Sequence, residues 1–440
     1  MKRFFILVLL LISLQSVVYA QPNHPPPPPP SDKINVYLDC PFCDKDFIRT
    51  EITYINYTTE RTQADIHLLV TTANTGSGGT EYTLEFIGQK NFEGQNQKLK
   101  FANPPNFTSD LSRNVLVKHI QIGLLPYLSG SPMLAQLHIE MNKQDGHGGG
   151  PPPEPPSNED KWNKWSFKIN SSLNANGESQ QSNFSLYGGI SATRTTEKWK
   201  TNLSVNTNYN KSVFPSGVNG EKEDYITRAN YASSSVVRSL TDHWSAKVEV
   251  NGEHHPNAEY SYSNIDKEGS LEGALEYSIF PYKDANRKKL VLQYSARLRS
   301  VDYAEETIYN KTSQLLAGES LYLGTSYTQP WGSLWGGLRG SHYFHDFSKN
   351  YLSIDGNVSW RVTKGLSLNL SGSFSKINDQ VELPIGDASK DEILLRLKEL
   401  ATKFRYYTNV GISYRFGSFN NNVVNPRFGG GDSFFYFSGD

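Results

Sequence analysis

Thr201-Asn202-Leu203-Ser204-Val205-Asn206-Thr207-Asn208-Tyr209 is the stretch on which the fold turns. In an extended chain, side chains point to opposite faces with a period of two. Thr201, Leu203, Val205, Thr207 and Tyr209 then share one face, and Asn202, Ser204, Asn206 and Asn208 share the other. A helix would mix the two sets, and a register slip of one residue would exchange them. One face belongs in an apolar surrounding and the other in a wet one.

The pattern recurs from Trp162 to Phe416. Ala246, Val248 and Val250 oppose Lys247, Glu249 and Asn251; Leu290, Leu292, Tyr294, Ala296 and Leu298 oppose Gln293, Ser295, Arg297 and Arg299. Leu352, Ile354, Val358 and Trp360 oppose Ser353, Asp355, Asn357 and Arg361; Leu366, Leu368, Leu370 and Phe374 oppose Ser367, Asn369, Ser371 and Ser373. Alternating segments of about ten residues, separated by turns, carry the cumulative signature of a transmembrane barrel. Centres at Ile169, Tyr187, Val205, Tyr231, Val248, Leu275, Tyr294, Leu323, Leu338, Asn357, Leu370 and Ile412 give about twelve strands, an even number as single-chain barrels prefer. The expected fold class is an all-β transmembrane antiparallel barrel of about twelve strands, preceded by a small α/β periplasmic domain.

Loop lengths give an independent reading. Short turns at Thr196-Glu197-Lys198, Thr241-Asp242-His243, Pro281 to Arg287, Gln329 to Gly332 and Thr363-Lys364-Gly365 alternate with longer connections at Phe214 to Asp224, Val301 to Ser313 and Phe344 to Asn350. A barrel with both ends in the periplasm has short periplasmic turns and long outer loops. Trp162, Trp165, Trp199, Trp244 and Trp331 fall near the short-turn ends, which suits an interfacial girdle. The last outer connection, Ile377 to Phe404, carries a helix expected over Ser389 to Lys403, with an apolar stripe at Ile393, Leu394, Leu397 and Leu400. The stripe reads as a cap packed on the barrel mouth, or as a gate.

Charges sit on the face expected to point inward: Lys168, Lys247, Glu249, Glu272, Glu276, Arg297, Arg299, Asp355, Arg361 and Arg415. They either pair into a network that stiffens and plugs the lumen, or line a water-filled passage and set its selectivity. Interspersed signs favour a narrow or plugged lumen.

Five boundaries divide the chain. Met1-Lys2-Arg3, the apolar run Phe4 to Leu14 and Val18-Tyr19-Ala20 make residues 1–20 a signal peptide, cut before Gln21. Residues 21–32 and 143–160 are Pro-rich and Gly/Pro-rich linkers, unable to bury a core. Residues 33–142 form the α/β unit, 161–418 the barrel, and 419–440 a Gly/Asn-rich tail in which Phe434 to Phe437 is one further possible strand. Within the α/β unit, Ile34–Leu38, Ile66–Thr72 and Glu81–Ile87 read as strands around a Gly76–Gly79 turn. Asp46 to Thr53 and Ser109 to Leu128 read as helices. The second shows Leu111, Val115, Ile122 and Leu125 near one face, with Ser109 or Asp110 as cap.

Both cysteines lie in Cys40-Pro41-Phe42-Cys43. In an exported chain the pair should oxidise to a local disulfide. The spacing also matches redox motifs. Against that reading stand Asp39, Asp44 and Asp46, which oppose thiolate formation, and the lack of a Thr-Val-Pro-type segment. A zinc site lacks further ligands at suitable spacing. No metal and no cofactor are expected.

Asn409-Val410-Gly411-Ile412-Ser413-Tyr414-Arg415-Phe416 resembles the last-strand signal of outer-membrane barrels, carried by Asn409, Gly411, Tyr414 and Phe416. That implies the barrel-assembly machinery as a partner during biogenesis, and outer-membrane lipid as the lasting one. Such signals usually end the chain, whereas here the tail follows. Leu38 to Asp44, Ala64 to Thr72, Thr80 to Gly88, Asp387 to Ala401 and Gly411 to Phe428 resemble a family of Bacteroidota outer-membrane proteins. These join a Cys-x-x-Cys-Asp periplasmic domain to a barrel of the salt-induced outer-membrane type. The resemblance implies location and architecture, and no activity.

Lys+Arg 43 against Asp+Glu 44 leaves a net charge of -1, which argues against a nucleic-acid partner. After Ala20 no apolar run reaches the roughly 18 residues of a membrane-spanning helix. A hydrolase would need a Ser-His-acid arrangement, and His254, His255, His342 and His345 lack the diagnostic spacing. The sequence therefore points to a non-enzymatic outer-membrane barrel with a periplasmic domain, either a small-solute channel or an envelope-organising protein. A secreted β-sandwich adhesin and a thiol oxidoreductase at Cys40/Cys43 are the alternatives.

Overall fold

The computed structural model describes residues 33–129, 160–215, 222–256, 263–386 and 401–417. The expected signal peptide, both linkers, the tail after residue 417 and nearly all of the helix expected at Ser389–Lys403 lie outside these residues.

The N-terminal unit is a five-stranded mixed sheet with two helices. In chain order it has β1 (Asn35–Asp39), α1 (Lys45–Glu51), β2 (Asn56–Tyr57), β3 (Ile66–Asn74), β4 (Thr80–Gly88), β5 (Gln97–Asn103) and α2 (Ser109–Leu128). The sheet order is β2-β1-β3-β4-β5; β1 runs parallel to β2 and β3, and β4 and β5 are antiparallel additions. Alternation splits its two faces. Val36, Leu38, Ile66, Leu68, Val70, Leu84 and Phe86 turn to one side and pack with Ile48, Leu116, Ile120 and Leu124 of the helices. Cys40 and Cys43 form a disulfide at the end of β1, and Cys40 is fully buried.

Two expectations for this unit are corrected, and one strand is added. Leu111 and Ile122 are about half exposed, at 48% and 51%. The face of α2 that docks is Leu116, Ile120, Leu124 and Leu128, an unbroken i, i+4 ladder that outcompetes the sparser stripe. The cap of α2 is Thr108, whose hydroxyl accepts from the Leu111 N–H at 3.2 Å, one residue before the expected position. β5 is an addition to the expected elements: its alternation, Leu99 and Phe101 against Lys98 and Lys100, spans only a short edge strand.

The second unit is a twelve-stranded antiparallel meander. Its strands are β6 (Trp165–Gly177), β7 (Ser182–Thr195), β8 (Trp199–Pro215), β9 (Lys222–Ser239), β10 (Trp244–His254), β11 (Ile265–Ser278), β12 (Lys288–Tyr303), β13 (Ser313–Gln329), β14 (Gly332–Tyr343), β15 (Asp346–Thr363), β16 (Leu366–Ile377) and β17 (Phe404–Tyr414). Every centre expected from sequence falls inside one strand. Each strand is laddered to its chain neighbours; among the described residues no ladder joins β17 to β6, and these two edge strands are exposed along most of their length. Outward rows are apolar and exposed, for example Leu338, Ile354 and Phe374 in register across β14 to β16. Trp165, Trp199 and Trp244 are each the first residue of a strand, all at the short-turn end.

Strands run further than expected at the opposite end. Phe344 to Asn350 is not a long loop: β15 starts at Asp346, leaving Phe344-His345 as a two-residue hairpin. Its polar residues Ser348 and Asn350 had suggested a loop. They belong instead to strand that rises past the apolar band. Glu319 breaks the outward apolar row of β13 close to this hairpin. Tyr294 Oη donates to it at 2.6 Å and His342 Nε2 pairs with it at 3.0 Å, so its charge is not left bare.

Candidate functional site: the sheet domain on the barrel mouth

The second face of the five-stranded sheet carries Tyr37, Asp39, His67, Leu69, Thr71, Thr83 and Glu85. No helix covers it, yet Asp39, His67, Leu69, Thr71, Thr83 and Glu85 are all buried. What covers it is the short-turn end of the barrel. A cavity of about 390 Å³ lies between Leu69, Thr71 and Lys45 on one side and Thr328, Ser333 and Ser359 on the other.

Two arginines clamp the faces together. Arg361, near the end of β15, donates from Nη1 and Nη2 to Asp39 Oδ2 and Oδ1, both at 2.6 Å. This fork-on-carboxylate geometry is the strongest ordinary form of ion pair. Arg361 Nη1 also donates to the Pro330 carbonyl at 3.1 Å, and its guanidinium lies 5.5 Å from the Tyr37 ring centre. Behind Asp39, His67 Nε2 is 3.0 Å from Oδ2. Arg287, in the turn between β11 and β12, reaches Glu85 Oε2 at 2.5 Å, and Lys98 holds Oε1 at 3.1 Å. Two further contacts complete the ring. The Gly365 N–H donates to Glu60 Oε2 at 2.7 Å, and Ser166 Oγ donates to the Ser77 carbonyl at 3.2 Å. The attachments therefore reach the turn end at β6, at the β11–β12 turn, and at the end of β15 with the β15–β16 turn.

The electrostatics of the clamp oppose each other. Burial pushes the Asp39 carboxyl up, but hydrogen bonds from His67 and Arg361 push it down by more, leaving it below the ordinary range. Burial pushes His67 down against the pull of Asp39. His67 Nδ1 is buried without a partner, which fits a neutral ring carrying its proton on Nε2.

The residues singled out from sequence divide into groups. Arg361 joins the clamp. Lys247 pairs with Glu249 at 2.7 Å and Glu272 at 3.0 Å on the polar face. Glu276 accepts from Tyr282 Oη at 3.0 Å. Arg297 donates to Ser270 Oγ at 3.1 Å, and Arg299 pairs with Glu268 at 2.7 Å and with Glu382. Glu382 belongs to the segment after β16, which folds back so that Val381 packs with Ile265, Val301, Tyr303 and Leu316 inside the long-loop end. Lys168 and Asp355 share the polar face, and Arg415 follows β17 beside Gly365. Asn409, Gly411 and Tyr414 lie in β17 and Phe416 just beyond, with the Tyr414 and Phe416 rings stacked at 5.7 Å. Of the histidines, His255 pairs with Glu253 and His345 lies in the β14–β15 hairpin.

Sequence reasoning missed Asp39, Glu60, His67, Glu85, Arg287, Glu268 and Glu382. A signal existed for two of them: His67 interrupts the apolar run Ile66 to Val70, and Glu85 sits within an otherwise apolar stretch of β4.

No family model and no curated protein matches the chain. Among solved structures it is similar to the NanC porin, at 9% identity and TM-score 0.25 over 57% of this chain and 100% of that one. It is also similar to a deltaS2 mutant of the TodX monoaromatic hydrocarbon channel, at 10% identity and TM-score 0.28 over 57% and 79%. The beta domain of the Bordetella autotransporter Brka matches at 10% identity and TM-score 0.25 over 57% and 97%. These scores are too low to carry an argument, and the fold stands on the ladders and the apolar exterior described above.

Proposed function

We propose that the chain is a non-enzymatic outer-membrane barrel that passes small polar solutes, with its N-terminal domain in the periplasm closing the mouth. The observation that carries this reading is the burial of six residues of one sheet face, Asp39 through Glu85, against the short-turn end by two arginine clamps. The same proposal includes export through residues 1–20, insertion guided by Asn409, Gly411, Tyr414 and Phe416, and membership of the Bacteroidota family that the sequence resembles. The paired charges of Lys247, Glu249, Glu272 and Arg299 line the proposed passage, with Lys168, Glu276, Arg297, Asp355 and Arg415 on the same face.

Planar-bilayer conductance of the full chain tests it. The unaltered protein is expected to rest closed. Removing one partner of a buried, hydrogen-bonded ion pair costs about 3 kcal/mol, so an Arg287→Ala/Arg361→Ala double variant should raise the open fraction at least tenfold. A double variant that migrates as a folded, heat-modifiable barrel yet never conducts above lipid alone would remove the channel reading.

A further inference from the structure

The contact between the sheet domain and the last strands leaves a cleft of about 460 Å³ beside Arg361. Its walls come from the Thr59 to Thr62 loop on one side and from the β15–β16 turn and the end of β17 on the other. Four cationic side chains line it, Arg61, Arg361, Lys364 and Arg415, against the one carboxylate of Glu60. Both oxygens of that carboxylate are already committed. Oε1 accepts from the Thr62 N–H at 3.3 Å, and Oε2 from the Gly365 N–H at 2.7 Å. Arg361 is held by Asp39. The guanidinium groups of Arg61 and Arg415 have no carboxylate partner among the described residues.

Arg61 and Arg415 are therefore two cations without a carboxylate at a built concave surface. We propose that the cleft is a binding site for a phosphate group, with Arg61 and Arg415 as its two principal ligands. Guanidinium forks match phosphate oxygens in pairs. The hydroxyls of Ser367 and Ser413 add neutral donors on the barrel wall. The volume admits a phosphate with a small organic substituent. The cleft lies at the end of the barrel where Trp165, Trp199 and Trp244 begin their strands, the level of lipid headgroups in a membrane-inserted barrel. A phospholipid headgroup and a free phosphate share this chemistry, and the test separates them. The inference uses the joint geometry of the two units and not conduction, so a barrel that never conducts leaves it standing.

Isothermal titration calorimetry on the full chain provides the test. Inorganic phosphate and glycerol phosphate are titrated into protein in nanodiscs of phosphatidylcholine alone. In parallel, the thermal shift of the protein is compared between these discs and discs containing phosphatidylglycerol. Saturable binding of the soluble phosphates assigns the site to a free solute; stabilisation by phosphatidylglycerol alone assigns it to the headgroup. In either case Arg61→Gln and Arg415→Gln should each weaken the effect about tenfold, and raised salt should weaken it further. Arg415→Lys should recover part of the loss. Neither binding nor stabilisation, or an effect untouched in both Gln variants that still fold as heat-modifiable barrels, overturns the site.

Discussion

His67 has no exposed surface and shares one carboxylate with an arginine from the other end of the chain. Its lowered pKa makes the folded protein bind fewer protons than the unfolded chain just below the usual histidine value of about 6.5. The linkage runs in one direction: the stability is complete above about pH 6.5 and falls as the pH drops towards the lower folded value. Asp39 acts in the same sense further down. Its folded pKa is depressed, so its contribution is present above the ordinary aspartate value of about 4 and is lost as the pH falls through the folded one. Amide protection factors in β1 and β3, corrected for the intrinsic exchange rate, should therefore fall in two acid steps. A His67→Gln variant is expected to lose the upper step and keep the lower; if both steps survive, His67 is not the group responsible. Little of this was legible beforehand. The sequence places Asp39 beside Cys40 and Arg361 in an alternating strand, but only the closed structure brings a pair so distant along the chain within hydrogen-bonding reach.

At the scale of elements, α2 shows which local signals suffice. Its span followed from the sequence even though its cap is Thr108, whereas the face it buries depended on the sheet beneath. Gly123 records that dependence: a Cβ there would lie 2.0 Å from the Phe86 ring. Helix propensity favours alanine over glycine by about 1 kcal/mol, and overpacking a tight contact costs about 1–3 kcal/mol. The contact is close enough for the second term to win. Gly123→Ala should lower the urea midpoint of the N-terminal unit, and an unchanged or raised midpoint would show that Phe86 can step aside. Gly365 marks a second close approach. It holds a φ of +70° in the β15–β16 turn, and a Cβ would meet the Arg415 carbonyl at 2.0 Å. The turn was legible as Thr363-Lys364-Gly365. Its bond to Glu60 was not, because nothing local to either segment announces the other.

For the whole molecule, period-two alternation was enough to place all twelve strands, since it is imposed by an apolar exterior around a polar inside. Ile354→Arg, in the middle of the exposed apolar row, should cost about 2–4 kcal/mol in a bilayer. Ser373→Arg, paired with Asp355 on the opposite face, should be tolerated. Folded yield in lipid vesicles reads the contrast, and equal yields would contradict the facing. What alternation could not reveal is that the barrel end serves as the missing layer of the neighbouring sheet. Without the barrel end beside it, the surface bearing Leu69, Thr71 and Thr83 would face water. Folding thus acquires an order: the amino-terminal portion is made first yet completes itself last, and a fragment severed from its roof should be sticky and short-lived.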